Sequence, residues 1–319
     1  MSFPNLTDIV STTIQNRSRA IADNVTKNNA LTAYLNRRGN RKTFSGGNTI
    51  LQELSFAENA NGGWYSGYDL LPVAAQDVIS SAEFAIKQLA CPVVMSGLEQ
   101  LQNAGREQMI DLLEARITVA EATMANLQSQ GVYSDGTTYG GKTLTGIDAA
   151  VAITPTNTYG GIDRGTWTFW KNKVLSGNSE TSATIQGRMN TLWASLVRGA
   201  DQPDLIVMDN VMWGLFVASL QSIQRFTSPE TGNLGFTTLK YMGADVVLDG
   251  GIGGFATTKT AYFLNTKYLF LRPHASRDMV PLSPNRRYAI NQDAEVQILA
   301  WAGNLTCSGA QFQGRLISS

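Results

Sequence analysis

One helical stripe constrains the fold of this 319-residue chain more than any other feature of its sequence. Ser96 and Glu99 have the spacing of a capping box, which predicts that a helix begins there. After a break near Gly105, apolar residues recur at helical spacing: Met109, Leu112, Leu113, Ile117, Ala120, Met124 and Leu127. The stripe covers about 25 residues, or roughly 38 Å of helix, and Gly131 is its predicted C-cap. So long a helix is typical of a spine, not of one unit in a compact α/β sandwich.

A long hairpin is predicted upstream of this helix. Apolar residues alternate from Ile50, an Asn/Gly cluster occupies 59–63, and Trp64, Tyr65 and Tyr68 follow it. Two strands of about 8 to 10 residues would reach roughly 25–33 Å. No neighbouring segment would bury the Trp and Tyr side chains, and an isolated two-stranded hairpin is marginal in water. We therefore expect the hairpin to lie on another subunit.

Charge is unevenly distributed along a chain whose 25 basic and 25 acidic residues cancel. Residues 1–42 carry a balance of +5, whereas residues 43–86 carry −5 and contain no Lys or Arg. A basic arm beside an acidic segment is suited to pairing between copies, although ordinary surface scatter is the competing interpretation. The arm could also contact nucleic acid non-specifically, through charge and without base recognition.

The second half of the chain predicts mixed helix and strand. Helices are expected over 183–198, closed by Gly199, and from a cap at Asp209 or Asn210 to about Ile223. Strands are expected at 204–208, 239–248 and 261–271, and a closing hairpin at 294–301 and 305–317. In the arm, helical segments are predicted around Leu6–Ile14 and Ile21–Leu35. The fold class is therefore α+β.

The residues that carry enzyme chemistry are sparse. His274 is the single histidine, and Cys91 with Cys307 lack metal-ligand spacing, so no cofactor or metal is predicted. Glycines at 250–254 precede a predicted strand and not a helix, which favours a turn over a phosphate loop. Asp201, Asp204 and Asp209 lack calcium-loop spacing, and the aromatic cluster at 167–170 favours core packing over a ligand pocket. We expect a chain that is not an enzyme.

Two further patterns bear on location. The N-terminal segment lacks a basic region followed by an apolar one, so no secretory signal is predicted. The longest apolar run, 211–220, is about half the length of a membrane span. We therefore expect that the protein is synthesised in the cytoplasm and does not associate with membranes.

Several local motifs resemble a known family. The motifs are Gly131-Val-Tyr-Ser-Asp-Gly136, Thr145-Gly-Ile-Asp-Ala-Ala-Val151, Tyr159-Gly-Gly-Ile-Asp-Arg164 with Trp167 and Trp170, Pro203-Asp-Leu-Ile-Val-Met-Asp209, and Leu239-Lys-Tyr-Met-Gly-Ala-Asp-Val-Val-Leu-Asp249. In this order, over about residues 45–317, they resemble the tailed-bacteriophage major capsid protein family.

The resemblance implies the Hong-Kong-type capsid fold. It divides the chain into an N-terminal arm (1–45), an extended β-hairpin loop (46–80), a peripheral domain with the spine helix (81–142), an axial α/β domain (143–270) and a return to the peripheral domain with a closing hairpin (271–319). It also implies hexamers and pentamers of the chain in an icosahedral shell around double-stranded DNA, with portal and possible scaffolding and decoration partners. The location implied is the virion capsid, assembled in the cytoplasm of a bacterial host.

Ten residues of the arm and hairpin are the candidates for intersubunit contact. They are Arg17, Arg19, Arg37, Arg38, Glu53, Glu58, Trp64, Tyr65, Tyr68 and Asp69. Some members of the family cross-link covalently through a lysine on the extended loop, and residues 43–86 contain none. We therefore expect a shell held by noncovalent contacts or by a decoration protein. The arm is also too short for a large cleaved scaffolding domain, which indicates a separate scaffolding protein or assembly from the coat alone.

Two other functions remain open from the sequence. An encapsulin-like bacterial nanocompartment shell shares the implied fold but encloses enzymes and not a genome. A cytosolic enzyme or ligand-binding protein built on the central α/β region would be a compact monomer or small oligomer.

Overall fold

The computed structural model describes residues 30–102, 106–221, 238–251, 253–282, 287–288 and 293–319. The helices of this part are α1 (Ala30–Arg37), α2 (Gly97–Gln102), α3 (Arg106–Tyr133), α4 (Thr138–Gly141), α5 (Ile147–Ala150), α6 (Ile185–Leu196) and α7 (Asn210–Gln221). The strands are β1 (Thr49–Ser55), β2 (Ile79–Ala85), β3 (Lys87–Ser96), β4 (Thr158–Tyr159), β5 (Ile162–Asp163), β6 (Lys173–Asn178), β7 (Leu205–Met208), β8 (Thr238–Tyr241), β9 (Ala244–Leu248), β10 (Thr260–Leu264), β11 (Leu269–Pro273), β12 (Val280–Pro281), β13 (Arg287–Tyr288), β14 (Ala294–Cys307) and β15 (Gly314–Ser318).

A six-stranded sheet forms the centre of the chain, with strand order β6-β15-β10-β7-β9-β8. Its middle strand, β7, is buried on both faces. Leu205 and Val207 join one apolar cluster, which reaches α1 and α3. Ile206 and Met208 join a second cluster beneath α6 and α7. The predicted short strand and the α+β class are confirmed, because a strand between two layers needs apolar residues on both faces.

A second sheet is built around β14, a strand of 14 residues. β3 pairs with it over ten residues, and β11, β12 and β13 also pair with it, all antiparallel. Helix α3 packs beside β3. The capping box that starts α2 is confirmed, since Ser96 N–H donates to Glu99 Oε2 at 3.1 Å and Glu99 N–H donates to Ser96 Oγ at 3.2 Å.

Gly131 was expected to end the spine helix, and that prediction is wrong. Helix α3 continues to Tyr133. A Cβ on Gly131 would lie 3.0 Å from Leu144 Cδ1, so this glycine allows close packing of the following segment against the helix. The missing side chain at this position permits contact between elements and does not mark a helix end.

The predicted hairpin has a different second strand. β1 pairs with β2, from Thr49 opposite Ala85 to Ser55 opposite Ile79. Residues 56–78, which include the Asn/Gly cluster and Trp64, Tyr65 and Tyr68, form the loop between these strands. The segment that follows the loop is split between two partners, because β2 pairs with β1 and β3 pairs with β14.

Two predicted single strands are each divided in the structure. Residues 239–248 form a hairpin of β8 and β9, because Met242 (φ 48°) and Gly243 (φ 90°) adopt the left-handed conformation of a tight turn. Residues 261–271 contribute to both sheets, with β10 in the central sheet and β11 beside β14. Asn265 caps the short 3-10 turn between them by accepting from Lys267 N–H.

The prediction of a closing hairpin is also wrong. β14 runs through Gly303 and Asn304 without a turn. Gly303 is required there because a Cβ would lie 2.4 Å from the backbone oxygen of Arg272 on β11. β15 leaves this sheet and pairs with β10 and β6 in the central one. The predicted division into arm, loop, peripheral and axial domains stays a prediction.

The cap of α7 gives a prediction for stability. Asp209 Oδ1 accepts from Met212 N–H at 3.0 Å, and Oδ2 accepts from Lys259 N–H at 2.7 Å. Loss of the cap and of the second contact predicts that Asp209→Ala lowers the free energy of unfolding by about 2 kcal/mol. Urea titration of the purified protein measures this. Asp209→Asn keeps one acceptor oxygen and should cost less, and equal losses for the two variants would contradict the capping role.

Candidate intersubunit surface

The base of the hairpin is anchored to the rest of the subunit. Ile50 and Leu54 on β1 and Phe84 on β2 are buried, whereas Glu53 and Glu83 lie on the exposed face. The Phe84 ring makes an edge contact with Tyr159, with centroids 5.3 Å apart. The alternation of buried and exposed residues therefore gives the hairpin an attached face and a free acidic face.

Three hydrogen bonds hold the base of the hairpin. Gln52 Oε1 accepts from Arg272 at 3.1 Å and from Thr306 at 3.3 Å, which ties β1 to the β14 sheet. On the other strand, Glu83 N–H donates to the oxygen of Gly160 at 2.9 Å. The hairpin is thus held at its base from both sides.

The loop beyond this base, residues 56–78, is named here the loop tip. Its hydrogen bonds are mostly internal: Asn61 Nδ2 donates to the oxygen of Ala74 at 2.6 Å, and Ser66 N–H donates to Asp69 Oδ2 at 2.8 Å. Phe56, at its start, packs on Trp167, with centroids 5.6 Å apart. The loop tip is therefore organised by its own turns and attached only at its ends.

Large apolar side chains of the loop tip are exposed. Trp64 and Tyr68 are fully exposed, and Tyr65 is 67% exposed. Leu70, Leu71 and Val73 continue this surface, and sequence patterning missed them. One sequence signal could have identified them as contact candidates: no polar residue alternates with Leu70, Leu71 and Val73. An apolar surface of this extent on one loop is typical of a contact site for another molecule.

The acidic candidates lie on the same hairpin and its loop tip. Glu53 and Glu58 are exposed, and Asp69 holds the turn at Ser66. Segment 43–86 supplies no Lys or Arg to neutralise them. The loop tip and the exposed hairpin face therefore form one acidic and apolar surface.

The basic candidates are positioned differently. Arg17 and Arg19 lie outside the residues that the structure describes. Arg37 is exposed at the end of α1. Arg38 donates to Tyr34 Oη at 2.7 Å, and that hydroxyl donates to Asp245 at 3.3 Å, so Arg38 is engaged within its own subunit. Pairing between the basic arm and the acidic hairpin of another copy stays a prediction.

A buried carboxyl, which sequence reasoning did not single out, connects the spine helix to the central region. Asp249 is 1% exposed, and it accepts from Tyr133 Oη at 2.6 Å and from Phe255 N–H at 3.3 Å. Burial raises its pKa above the usual value, and the hydrogen bonds from Tyr133, Phe255 and the Leu31 backbone oppose that rise only in part. Burial likewise raises the pKa of the Tyr133 hydroxyl.

Asp249 gives a prediction for pH dependence. Because its pKa is higher folded than unfolded, its contribution to stability is fully present below the unfolded pKa and is lost as pH rises through the folded pKa. Asp249→Asn removes the buried charge, and its amide can donate to Tyr133 Oη and accept from Phe255 N–H. We expect the variant to gain thermal stability relative to the unaltered subunit as pH rises from 4 to 8, measured by melting temperature. A difference that stays constant over this range would contradict the prediction.

Other chemistry is limited in the part of the chain that the structure describes. His274 Nδ1 accepts from Ser276 N–H at 3.2 Å, so it shapes its own turn. Within the described ranges, His, Cys, Asp and Glu side chains form no cluster of three that could hold a metal ion. The same ranges contain no helix with the length and apolar character to span a bilayer. Trp170 is buried, which confirms core packing for part of the aromatic cluster, whereas Trp167 is half-exposed against Phe56.

Comparison with known proteins found relatives by structure and not by sequence. No family model matches the chain, and no curated protein matches it. Among solved structures, a chain of the cyanophage A-1(L) capsid asymmetric unit is similar with a TM-score of 0.64, 15% identity and 96% coverage of both chains. The capsid of a native GTA particle gives a TM-score of 0.59 at 13% identity, covering 100% of this chain and 96% of that one. The capsid of Myoviridae phage XM1 gives 0.52 at 12% identity, covering 97% and 96%.

These similarities extend over nearly the whole length of each chain. They place this protein in the class of viral-shell folds. Its particular fold is the Hong-Kong-type capsid fold, as the sequence motifs implied.

Proposed function

We propose that this chain is the major capsid protein of a tailed bacteriophage, a structural subunit that assembles with copies of itself into an icosahedral shell around double-stranded DNA. The observation that carries the proposal is the loop tip, whose aromatic side chains are exposed in the subunit. Burying each of them against a neighbour would contribute about 2 kcal/mol. A subunit that completes its neighbour in this way has no need of a catalytic site.

The shell contacts that we propose are noncovalent. The loop tip and the hairpin strands contain no lysine that could form an isopeptide bond. The acidic hairpin surface is suited to basic groups of another copy, with the arm residues as the proposed partners. Hexamers and pentamers of the chain, portal, scaffolding and decoration partners, non-specific contact with packaged DNA and assembly in the host cytoplasm belong to the same proposal. The location proposed is the virion capsid.

Electron microscopy of the purified, expressed protein tests the shell function. Closed shells or tubes are the expected result, whereas discrete small particles at every protein concentration would contradict it. Nucleic acid extracted from particles made during infection separates the two shell functions. Double-stranded DNA supports the phage capsid, and a cargo enzyme without DNA would favour the nanocompartment.

The noncovalent nature of the shell has its own test. Purified particles are boiled in detergent and reductant and separated by electrophoresis. A single band at about the subunit mass of 34.5 kDa is expected. A ladder of high-mass bands would show covalent cross-links and would overturn the prediction from the missing lysine.

A further inference from the structure

Arg164 is a fully buried cation without an anionic partner among the described residues. Its Nη2 donates to the oxygen of Ala150 at 2.8 Å, and its Nη1 donates to Asn172 Oδ1 at 3.4 Å. The guanidinium carbon lies over the Tyr159 ring, 4.6 Å from its centroid. Burying a charge beside neutral groups alone is costly, so stability does not account for an arginine at this position.

Arg164 holds the Tyr159 ring in place. Tyr159 Oη is buried and has no hydrogen-bond partner among the described residues, so the hydroxyl does not orient the ring. The ring is stacked on Trp170 with centroids 5.9 Å apart, and Trp170 Nε1 donates to the main-chain oxygen of Tyr159 at 2.9 Å. The same ring makes the edge contact with Phe84 of β2. Arg164 therefore acts on the hairpin through Tyr159.

A turn of two glycines joins β4 to β5 and contacts the hairpin directly. Gly160 and Gly161 have left-handed φ values of 58° and 77°, as a tight two-residue turn requires. The oxygen of Gly160 accepts from Glu83 N–H at 2.9 Å. A Cβ on Gly160 would lie 3.0 Å from both Ala82 Cβ and Phe84 Cζ. Strand β2 therefore packs against the main chain of this turn, with no room for a side chain between them.

We propose that residues 159–164, named here the hairpin seat, set the direction in which the hairpin leaves its own subunit, and that Arg164 is the positioning residue of the seat. This inference rests on the proposed shell function, since that direction decides where the loop tip meets another copy. The loop tip begins roughly 13 Å beyond Glu83 at the rise of a strand, so a tilt at the seat moves the loop tip farther than the base. Retaining a buried charge at a cost in stability suits a residue that fixes one conformation.

The two glycines of the seat provide a matched pair of variants. Gly160→Ala and Gly161→Ala each place a methyl group on a left-handed residue of the same turn, so both carry the same kind of backbone strain. At Gly161 the nearest atom to an added Cβ is Glu83 Cβ at 4.0 Å, an ordinary contact distance. Gly160→Ala is therefore expected to displace β2, whereas Gly161→Ala leaves it in place.

Amide hydrogen exchange and shell yield test the proposal. In the purified protein, the Glu83 amide should exchange at least about ten-fold faster in Gly160→Ala than in Gly161→Ala, because its bond to the oxygen of residue 160 is disrupted. Shell yield, measured by sedimentation and electron microscopy, should fall at least about ten-fold in Gly160→Ala and stay unchanged in Gly161→Ala. Equal shell yields from the two variants would overturn the proposal.

Arg164→Met provides the second measurement if Gly160→Ala does not fold. Methionine fills the space and removes the buried charge, and this relief offsets the loss of two hydrogen bonds. We expect an unchanged melting temperature and a shell yield lower by at least about ten-fold. Arg164→Lys keeps a cation over the Tyr159 ring and should give a higher yield than Arg164→Met. Full yield from Arg164→Met, or a large fall in its melting temperature, would overturn the positioning role.

Arg315→Met is the matched control for the buried arginine. Arg315 also lies over a tyrosine ring, that of Tyr262, but it forms an ion pair with Asp148 at 2.8 Å. Its loss should lower the melting temperature and leave the exchange rate of the Glu83 amide unchanged, and faster exchange would contradict a specific role of Arg164.

The outcomes separate the two proposals. Shells from the unaltered protein, together with equal yields from the glycine pair, would overturn the seat and leave the shell function standing. Failure of the unaltered protein to form shells would overturn the shell function itself. The exchange rate of the Glu83 amide would then still test the seat, and equal rates in the glycine pair would overturn it as well.

Discussion

Replacement of Trp64, Tyr65 and Tyr68 by alanine is expected to abolish shell assembly without lowering the stability of the subunit. In the subunit these side chains are exposed, so their removal costs little folding energy. In the shell, each alanine substitution would remove about 2 kcal/mol of the stabilisation that comes from burying the side chain. Together they should raise the protein concentration needed for assembly by at least about a thousand-fold, since each 1.4 kcal/mol corresponds to about a factor of ten.

Sedimentation and electron microscopy across a concentration series measure this effect, and thermal unfolding of the dilute subunit provides the stability. The conservative triple variant, with phenylalanine at the same three positions, keeps most of the apolar area and should still assemble. Normal shells from the alanine variant would contradict the role of the loop tip as the contact surface. A large drop in subunit melting temperature would instead indicate that the loop tip stabilises its own chain.

Substitution of Gly146 by alanine is expected to destabilise the fold strongly. A Cβ at this position would lie 2.2 Å from the backbone oxygen of Val132, 2.6 Å from that of Gly131 and 2.7 Å from that of Ser134. All three are main-chain atoms at the end of the spine helix, so relief requires the helix and the following segment to separate. We expect a loss of more than about 3 kcal/mol in the free energy of unfolding.

Gly187→Ala is the matched control for this prediction. Gly187 lies inside α6, it is exposed, and an added Cβ meets no atom within 4 Å. Alanine is favoured over glycine in a helix by about 1 kcal/mol, so this variant should be more stable than the unaltered protein. Chemical denaturation of both variants measures the two opposite changes. A Gly146→Ala protein as stable as the unaltered chain would show that the junction at the helix end is loosely packed.

Local signals in the sequence were sufficient for the elements whose determinants lie within a few residues. The capping box at Ser96 and Glu99, the cap at Asp209 and the apolar spacing of α6 each depend on contacts between neighbours in the chain. The buried apolar residues of α6 recur at helical spacing: Ile185, Met189, Leu192, Trp193 and Leu196. Val197, just past the end of the helix, is 38% exposed. A helix and its buried face can therefore be predicted from the spacing of apolar residues in the sequence.

Strand partners could not be predicted in the same way. The second strand of the hairpin lies beyond a 23-residue loop, 56–78, and a turn cluster inside that loop suggested a nearer partner. Gly131 and Gly303 are of the residue type that commonly ends a helix or forms a turn. In the structure, both allow close packing within continuous elements. The atoms that they avoid clashing with belong to Leu144 and to the backbone of Arg272, and nothing near either glycine in sequence identifies those neighbours.

The sequence by itself therefore determined the spine helix, the buried central strand and an aromatic, acidic hairpin without a basic residue, because periodicity, capping and local charge are short-range properties. The tertiary structure alone decided which strands pair and that β15 returns to the central sheet. Those features depend on contacts such as that of β14 with β3, whose paired residues are some 200 positions apart. The free energy of such pairing is shared among many side chains, and no single segment encodes it.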